Sequence, residues 1–65
     1  MKNRVRDLRK SCGWTQEQIS DLLEVSRQTI NSIENGRFDP SLTLALKIAK
    51  LFEEPVEGIF ALSDA

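Results

Sequence analysis

The sequence predicts an all-α domain of five short helices, and three observations point to it. Apolar residues recur at the i, i+3, i+4 and i+7 spacing that places them on one face of a helix. Ser or Thr precedes several of these stretches in the position of an N-cap, and Gly or Asp-Pro separates them. The 65 residues suffice for a single domain, 1–65, with a small core.

The first helix is expected over residues 2–12. Val5, Leu8 and Cys12 are spaced i, i+3 and i+7 and would form its buried face. Gly13 then ends the helix, because glycine readily adopts the positive φ of a helix C-terminus. Cys12 is therefore expected to pack as a small apolar residue, with a redox role as the alternative.

The start of the second helix is marked by a capping box. Thr15 and Gln18 have the T-x-x-Q spacing, and an apolar stripe begins at Ile19. Gln16 would lie in the first turn, where unpaired N–H groups and the positive end of the helix dipole suit a backbone phosphate. An ordinary capped surface helix explains the same capping.

The third helix has a polar outer face. Ser26 is its N-cap, it extends to about residue 35, and Ile30 and Ile33 point inward at about 100° per residue. The opposite side is formed by Gln28, Asn31, Ser32 and Asn35, with Arg27 at its flank. This face has no carboxylate, and its amides match the N6/N7 edge of adenine as arginine matches guanine O6/N7. It therefore suits insertion into DNA; a merely solvated surface is the alternative.

The last two helices follow a loop over 36–40 and are expected at 41–53 and 55–61. On a helical wheel, the first of them packs into its own domain through Leu42, Ala45, Leu46, Ala49 and Phe52. Leu44 and Leu51 would then face outward and leave an apolar patch. Burial of this patch against a second copy predicts a homodimer whose interface is formed by Leu44, Ile48, Leu51, Val56 and Ile59. Two incidental surface leucines are the alternative.

The net charge is −1, but its distribution is uneven. Residues 1–14 carry five basic groups and one acid, whereas residues 51–65 carry four acids and no basic group. The local field, and not the net charge, decides whether a phosphate backbone is attracted. The composition is therefore compatible with a nucleic-acid partner.

Several classes of protein are excluded by composition. With no His and one Cys, neither a zinc site of the usual kind nor an internal disulfide is expected. No nucleophile–base pair and no Gly-rich phosphate loop are recognisable, so no enzyme, cofactor or small-molecule ligand is expected. No apolar run approaches the roughly 20 residues of a membrane span, and no signal-peptide core is present. A cytoplasmic location, with no membrane partner, is expected.

Several motifs in order identify a known family. The segments T-Q-E-Q-I, V-S-R-Q-T-I, I-E-N-G, P-S-L and K-I-A resemble those of the Cro/C1-type (Xre) helix-turn-helix proteins, over about residues 3–60. The resemblance implies a five-helix, lambda-repressor-like fold with helix 27–35 in the major groove. It implies base contacts from Arg27, Gln28 and Ser32, to which the polar face adds Asn31. Phosphate contacts are implied for Gln16, Asn35 and Arg37.

The resemblance also makes predictions about residues that stabilise the fold. It implies an ion pair between Arg9 and Glu34 at the rim of the core. Two positions differ from the family pattern: Ser20 stands where Ala is usual, and Glu24 stands at a turn position that usually has Gly. A left-handed conformation at Glu24 would carry a cost on the order of 1 kcal/mol.

The function expected from these observations is sequence-specific regulation of transcription. The protein would be a small dimeric repressor of double-stranded DNA with a near-palindromic operator, its half-sites about one helical turn apart. The alternative is a protein-interaction module on the same fold, such as an antitoxin or anti-regulator. The steep salt dependence of phosphate contacts distinguishes the two.

Overall fold

The computed structural model describes residues 1–62 and shows five helices, as predicted. The helices are α1 (Val5–Ser11), α2 (Gln16–Leu23), α3 (Arg27–Glu34), α4 (Leu42–Phe52) and α5 (Val56–Ile59). Two short strands, β1 (Lys2–Asn3) and β2 (Phe60–Ala61), flank them. Helices α2 and α3 pack closely against each other, and α4 packs against α2 and α5. Among residues 1–62, no helix has both the length and the apolar character needed to cross a membrane.

The two strands correct the predicted ends of the first and last helices. Lys2 pairs with Ala61 and Asn3 with Phe60 in an antiparallel sheet, so α1 begins at Val5 instead of residue 2. The Asn3 side chain accepts a hydrogen bond from the Val5 N–H and donates one to the Ile33 carbonyl at 2.8 Å. These bonds hold the N-terminal segment extended against the end of α3 and satisfy backbone groups that a longer helix would have used.

The core lies where the helices converge and is mostly aliphatic. Its fully buried members are Val5, Ile19, Ile30, Ile33 and Ile48. Trp14 lies partly buried over this cluster, with its ring centroid 6.0 Å from that of Phe52. Cys12, by contrast, is exposed, so its predicted burial is wrong. It follows the last residue of α1, where the chain turns away from the core towards Gly13.

The predicted orientation of α4 is wrong for its leucines. Ala45 and Ala49 are buried and Phe52 packs against the core, as predicted. Leu44 and Ile48 are buried in the domain's own core, and Leu51 packs against it. Leu42 and Leu46, predicted to point inward, are 73% and 53% exposed. The helix is rotated because α2 and α5 contact the side that carries Leu44 and Ile48.

The same rotation removes the predicted dimer surface. Ile59 is buried and Val56 packs against the core, like Leu44, Ile48 and Leu51 on α4. These five side chains therefore stabilise the single domain and do not form an exposed patch. The homodimer itself stays a prediction, but Leu44, Ile48 and Ile59 are too buried to supply its apolar contact.

The turn between α2 and α3 has the conformation expected from the sequence position of Glu24. Glu24 adopts φ 61° and ψ 41°, the left-handed region, and the following Val25 N–H bonds to the Ser20 carbonyl at 3.0 Å. Ser20 is buried, and its hydroxyl donates to the Glu17 carbonyl, so a Ser is accommodated between the helices. Glu53 ends α4 in the same way, with φ 56°.

Replacement of Glu24 by glycine is therefore expected to stabilise the domain. Glu24→Gly removes the strain of a side chain at positive φ, but glycine also has more conformational entropy in the unfolded chain. The strain relief should be the larger effect, so the free energy of unfolding should rise by several tenths to about 1 kcal/mol. Urea unfolding measures the change. As a control, Lys47→Gly in the exposed middle of α4 should lower stability by roughly 0.5–1 kcal/mol. A midpoint for Glu24→Gly at or below that of the natural chain would contradict the strain.

Candidate nucleic-acid interface

The starts of α2 and α3 are fixed by side-chain caps, as predicted. In α2, Thr15 Oγ1 accepts from the Gln18 N–H at 3.0 Å, and the Gln18 side chain accepts from the Thr15 N–H at 2.8 Å. In α3, Ser26 Oγ accepts from the Thr29 N–H at 3.1 Å. Satisfied first-turn donors give both helices definite start points, which fixes the direction in which the polar residues of α3 project.

A buried ion pair connects α1 with the end of α3. The Glu34 side chain has no exposed surface, and Arg9 Nε donates to its Oε2 at 2.6 Å while Arg9 Nη2 donates to Oε1 at 3.2 Å. Arg9 Nη1 also donates to the Trp14 carbonyl at 2.8 Å, which connects the pair to the turn before α2. The predicted Arg9–Glu34 pair is confirmed, and it holds three segments together.

Polar side chains extend this ion pair towards the surface. Gln16 Nε2 donates to Glu34 Oε1 at 3.0 Å and to Asn31 Oδ1 at 3.3 Å. Asn31 Oδ1 also accepts from Asn35 Nδ2 at 3.3 Å, and Arg6 Nη2 donates to Asn35 Oδ1 at 2.9 Å. Three of the predicted contact residues, Gln16, Asn31 and Asn35, therefore form one network that includes the buried carboxylate.

Arg27, Gln28 and Ser32 lie beside this network. Arg27 and Gln28 are exposed and Ser32 is half-buried on the outer face of α3. Within residues 1–62 these three side chains make no hydrogen bond. Arg37 is exposed just beyond the helix, and its N–H bonds to the Ser32 carbonyl at 2.9 Å. The structure thus brings six of the predicted contact residues together. Gln16, Arg27, Gln28 and Asn31 line one depression, Ser32 lies beside Gln28, and Asn35 bonds to Asn31. Arg27, Gln28 and Ser32 are free to bind a ligand.

Comparison with known proteins identifies this helix pair. A family model described as helix-turn-helix matches residues 5–59. The chain is 45% identical over 64 residues to "Uncharacterized HTH-type transcriptional regulator YgzD" of Bacillus subtilis, a match that covers 98% of the chain and 97% of the relative. A protein of the same description from Methanocaldococcus jannaschii is 50% identical, with the same coverage. The chain belongs to the Cro/C1-type helix-turn-helix family.

A third relative has a more specific name. The competence pilus inhibition repressor of Acinetobacter baylyi is 40% identical over 60 residues, which are 92% of the chain and 54% of that relative. Helices α2 and α3 are the helix-turn-helix of this chain, with α3 as its second helix. Family membership assigns the chain to the DNA-binding transcriptional regulators.

The buried carboxylate stays ionised in this helix-turn-helix. Burial by itself would raise the pKa of Glu34. Hydrogen bonds from Arg9 and Gln16, the charge of Arg9 and a hydrogen bond from Arg6 outweigh it, so the pKa lies below the ordinary value of a glutamic acid. The acid of α3 is therefore internal and neutralised, and the outer face of the helix presents no negative charge.

Three contributors to this surface were missed from the sequence. Arg6 on α1 donates to both Glu34 and Asn35. Asn3 anchors the N-terminal segment to the end of α3. Phe38 lies 48% exposed in the loop after α3. An aromatic residue outside any helical apolar pattern, directly after Gly-Arg, was the one available signal for Phe38.

Loss of the Glu34 charge should destabilise the domain and reduce its sensitivity to acid. Glu34→Gln leaves Arg9 buried without a counter-ion, so the free energy of unfolding at pH 7 should fall by about 3 kcal/mol. Because the pKa of Glu34 is lower in the folded state, its contribution is fully present above the unfolded value of about 4.3 and is lost as the pH falls through the folded value. Urea unfolding at pH 7 and pH 3.5 measures both effects.

Glu17→Gln is the matched control, since Glu17 is exposed in the first turn of α2. It should retain the stability at pH 7 and the acid sensitivity of the natural chain. An acid-induced loss as large in Glu34→Gln as in the natural chain would show that Glu34 is not the group responsible.

Proposed function

We propose that this protein is a sequence-specific repressor of transcription that inserts α3 into the major groove of its operator. The observation that carries the proposal is the free polar face formed by Arg27, Gln28 and Ser32. An arginine pairs in bidentate fashion with guanine O6/N7, and a glutamine with adenine N6/N7. Because the acid of α3 is buried and paired, this face can approach two phosphate backbones without repulsion.

The hydrogen-bond network around Glu34 supports separate roles for phosphate-binding and base-reading residues. Gln16 and Asn35 lie on either side of Asn31 and are held by Glu34 and Arg6, so their positions are fixed before DNA arrives. Groups with fixed positions suit contacts to backbone phosphates, because such contacts fix the register of the protein on the duplex and do not depend on the base sequence. In this proposal Gln16, Asn35 and Arg37 bind phosphates. Gln16 does so through its backbone N–H at the start of α2, because both hydrogens of its side-chain amide are already donated. Arg27, Gln28 and Ser32 read bases, and Asn31 contacts a base beside the network.

Repression is proposed because a domain of this size can block polymerase simply by occupying a site. The name of the Acinetobacter relative, a repressor, favours the same sign of regulation. A protein that regulates transcription acts where the chromosome is, so the proposal includes a cytoplasmic location. Binding-site selection from randomised duplexes tests the proposal: a recurrent motif is expected, whereas selection of no preferred sequence would contradict it.

Base readers and phosphate binders should respond differently to substitution. Gln28→Ala should weaken binding to the selected operator by about 1–3 kcal/mol and change binding to random duplexes little, because a base-edge contact is lost. Arg37→Ala should weaken binding to the operator and to random duplexes similarly. It should also reduce the slope of log affinity against log salt concentration by about the contribution of one phosphate contact. Fluorescence anisotropy at two salt concentrations measures these changes. Equal losses on both duplexes for Gln28→Ala would contradict its base-reading role.

The proposal includes a homodimer, with an apolar contact from the outer face of α4. Leu42 and Leu46 are one helical turn apart and are the most exposed apolar residues of this helix. Exposed apolar surface on a small domain marks a contact site when its members are contiguous. A two-fold axis beside this pair would place two α3 helices in successive major grooves, which requires a near-palindromic operator.

Two substitutions distinguish a specific dimer contact on α4 from a nonspecific effect of exposed leucines. Leu46→Glu should give a monomer in sedimentation at tens of micromolar, because it places like charges across the two-fold axis. Leu22→Glu is the matched control, since Leu22 is 52% exposed and Leu46 53% exposed, but Leu22 lies on α2. It should leave the dimer intact. A natural chain that sediments as a monomer at this concentration would contradict the dimer, whereas dissociation by both variants would contradict the choice of surface.

A further inference from the structure

Phe38 is exposed beside the DNA-reading face without a place in the core. Almost half of its surface, 48%, is accessible, and it is not among the residues that pack on the core. Its loop is nevertheless anchored, because the N–H groups of Gly36 and Arg37 bond to the Ile33 and Ser32 carbonyls at 3.0 and 2.9 Å. A large aromatic ring is therefore held next to α3 with an open face.

The ring forms one wall of a shallow depression on α3. Its other lining residues are Ser26, Gln28, Thr29 and Ser32. The hydroxyls of Ser26 and Thr29 lie 2.9 Å apart and bond to each other, so they are already satisfied. Gln28 and Ser32 have no side-chain hydrogen bond among residues 1–62. The depression thus combines an apolar wall with two free polar groups and has no carboxylate.

Only one base offers matching chemistry in the major groove. Thymine presents a C5-methyl group together with the O4 acceptor, whereas cytosine presents an N4 donor and no methyl group. We propose that Phe38 is a specificity-determining residue whose ring contacts the C5-methyl group of a thymine, while Ser32 donates to O4. This inference rests on the proposed insertion of α3 into the major groove. It adds a reader that lies outside the recognition helix.

The position of Phe38 in the chain supports a base contact. Arg37, directly before it, is proposed to bind a phosphate, and a phosphate contact on one side of the groove fixes the register of the neighbouring side chain. Contact of the ring with a deoxyribose is the competing arrangement. It would contribute affinity without any dependence on the thymine methyl group.

Removal of single thymine methyl groups from the operator tests the inference. Each thymine of the selected operator is replaced in turn by deoxyuridine, which keeps the base pair and O4 but lacks the methyl group. At one thymine in each half-site the natural protein should lose about fourfold in affinity, as expected for one buried methyl group at about 0.8 kcal/mol. For Phe38→Ala, the thymine and deoxyuridine operators should bind equally.

The matched control is Leu62→Ala, because Leu62 is also a large exposed apolar residue, at 84%. It should retain the fourfold discrimination. Phe38→Leu keeps an apolar contact and should retain part of it, and circular dichroism confirms that each variant is folded.

The outcomes separate this inference from the proposed function. Specific binding with no thymine sensitive to deoxyuridine, or an operator without thymine at the contacted positions, overturns the Phe38 reader and leaves the repressor proposal intact. Undiminished discrimination in Phe38→Ala assigns the methyl contact to another residue and likewise overturns it. Selection that yields no preferred sequence overturns both.

Discussion

The burial of the Glu34 carboxylate is the constraint on which the DNA-binding surface depends. A buried charge is tolerated only when it is paired and hydrogen-bonded, and here the partners come from separate segments. Arg9 and Arg6 come from α1, and Gln16 comes from the first turn of α2. Arg9 also holds the carbonyl of Trp14. The requirement to pair one carboxylate therefore sets the relative positions of α1, α2 and α3.

The same constraint shapes the chemistry of the outer surface. Because Glu34 turns inward, α3 presents only amides, hydroxyls and a guanidinium to the outside. The network around the carboxylate occupies Gln16, Asn31 and Asn35, whereas Arg27, Gln28 and Ser32 stay available. Preorganised groups lose little conformational freedom on binding, and free groups can select among base edges. One buried ion pair thus supports both a rigid frame and the face of free polar groups that the proposed function uses to read bases.

The features predicted from the sequence are those set by local chemistry. The caps at Thr15 and Ser26 depend on a few adjacent residues. The conformation at Glu24 was left open by the sequence, because Glu stands there in place of the usual Gly, and the structure shows it to be left-handed. The Arg9–Glu34 pair joins distant residues, and it was predictable only because the family resemblance supplied the pairing. The helix pair was predictable from the same combination of periodicity and motif, whereas the seven polar contact residues stay predictions.

The predictions failed where contacts between segments far apart in the sequence determine the structure. Helix α4 carries leucines on several sides, so a helical wheel offers two apolar arcs, and only contact with α2 and α5 selects between them. The paired strands at Lys2–Asn3 and Phe60–Ala61 are two residues long, too short for any alternating pattern, and join opposite ends of the chain. Cys12 fits the apolar spacing of α1 yet lies beyond its last turn. Phe38 belongs to no periodic segment, so its place beside α3 appears only in three dimensions.

The most direct test of α3 as the DNA-reading element is amide shift mapping by nuclear magnetic resonance. The nitrogen-15 labelled protein is titrated with a selected duplex and, in parallel, with a random duplex of the same length. With the selected duplex, the largest shifts should fall on residues 26–32, Gln16, and the loop at Arg37 and Phe38, and they should be smaller with the random duplex at residues 26–32. Shifts concentrated on the outer face of α4, with residues 26–32 unchanged, would contradict insertion of α3 into the major groove.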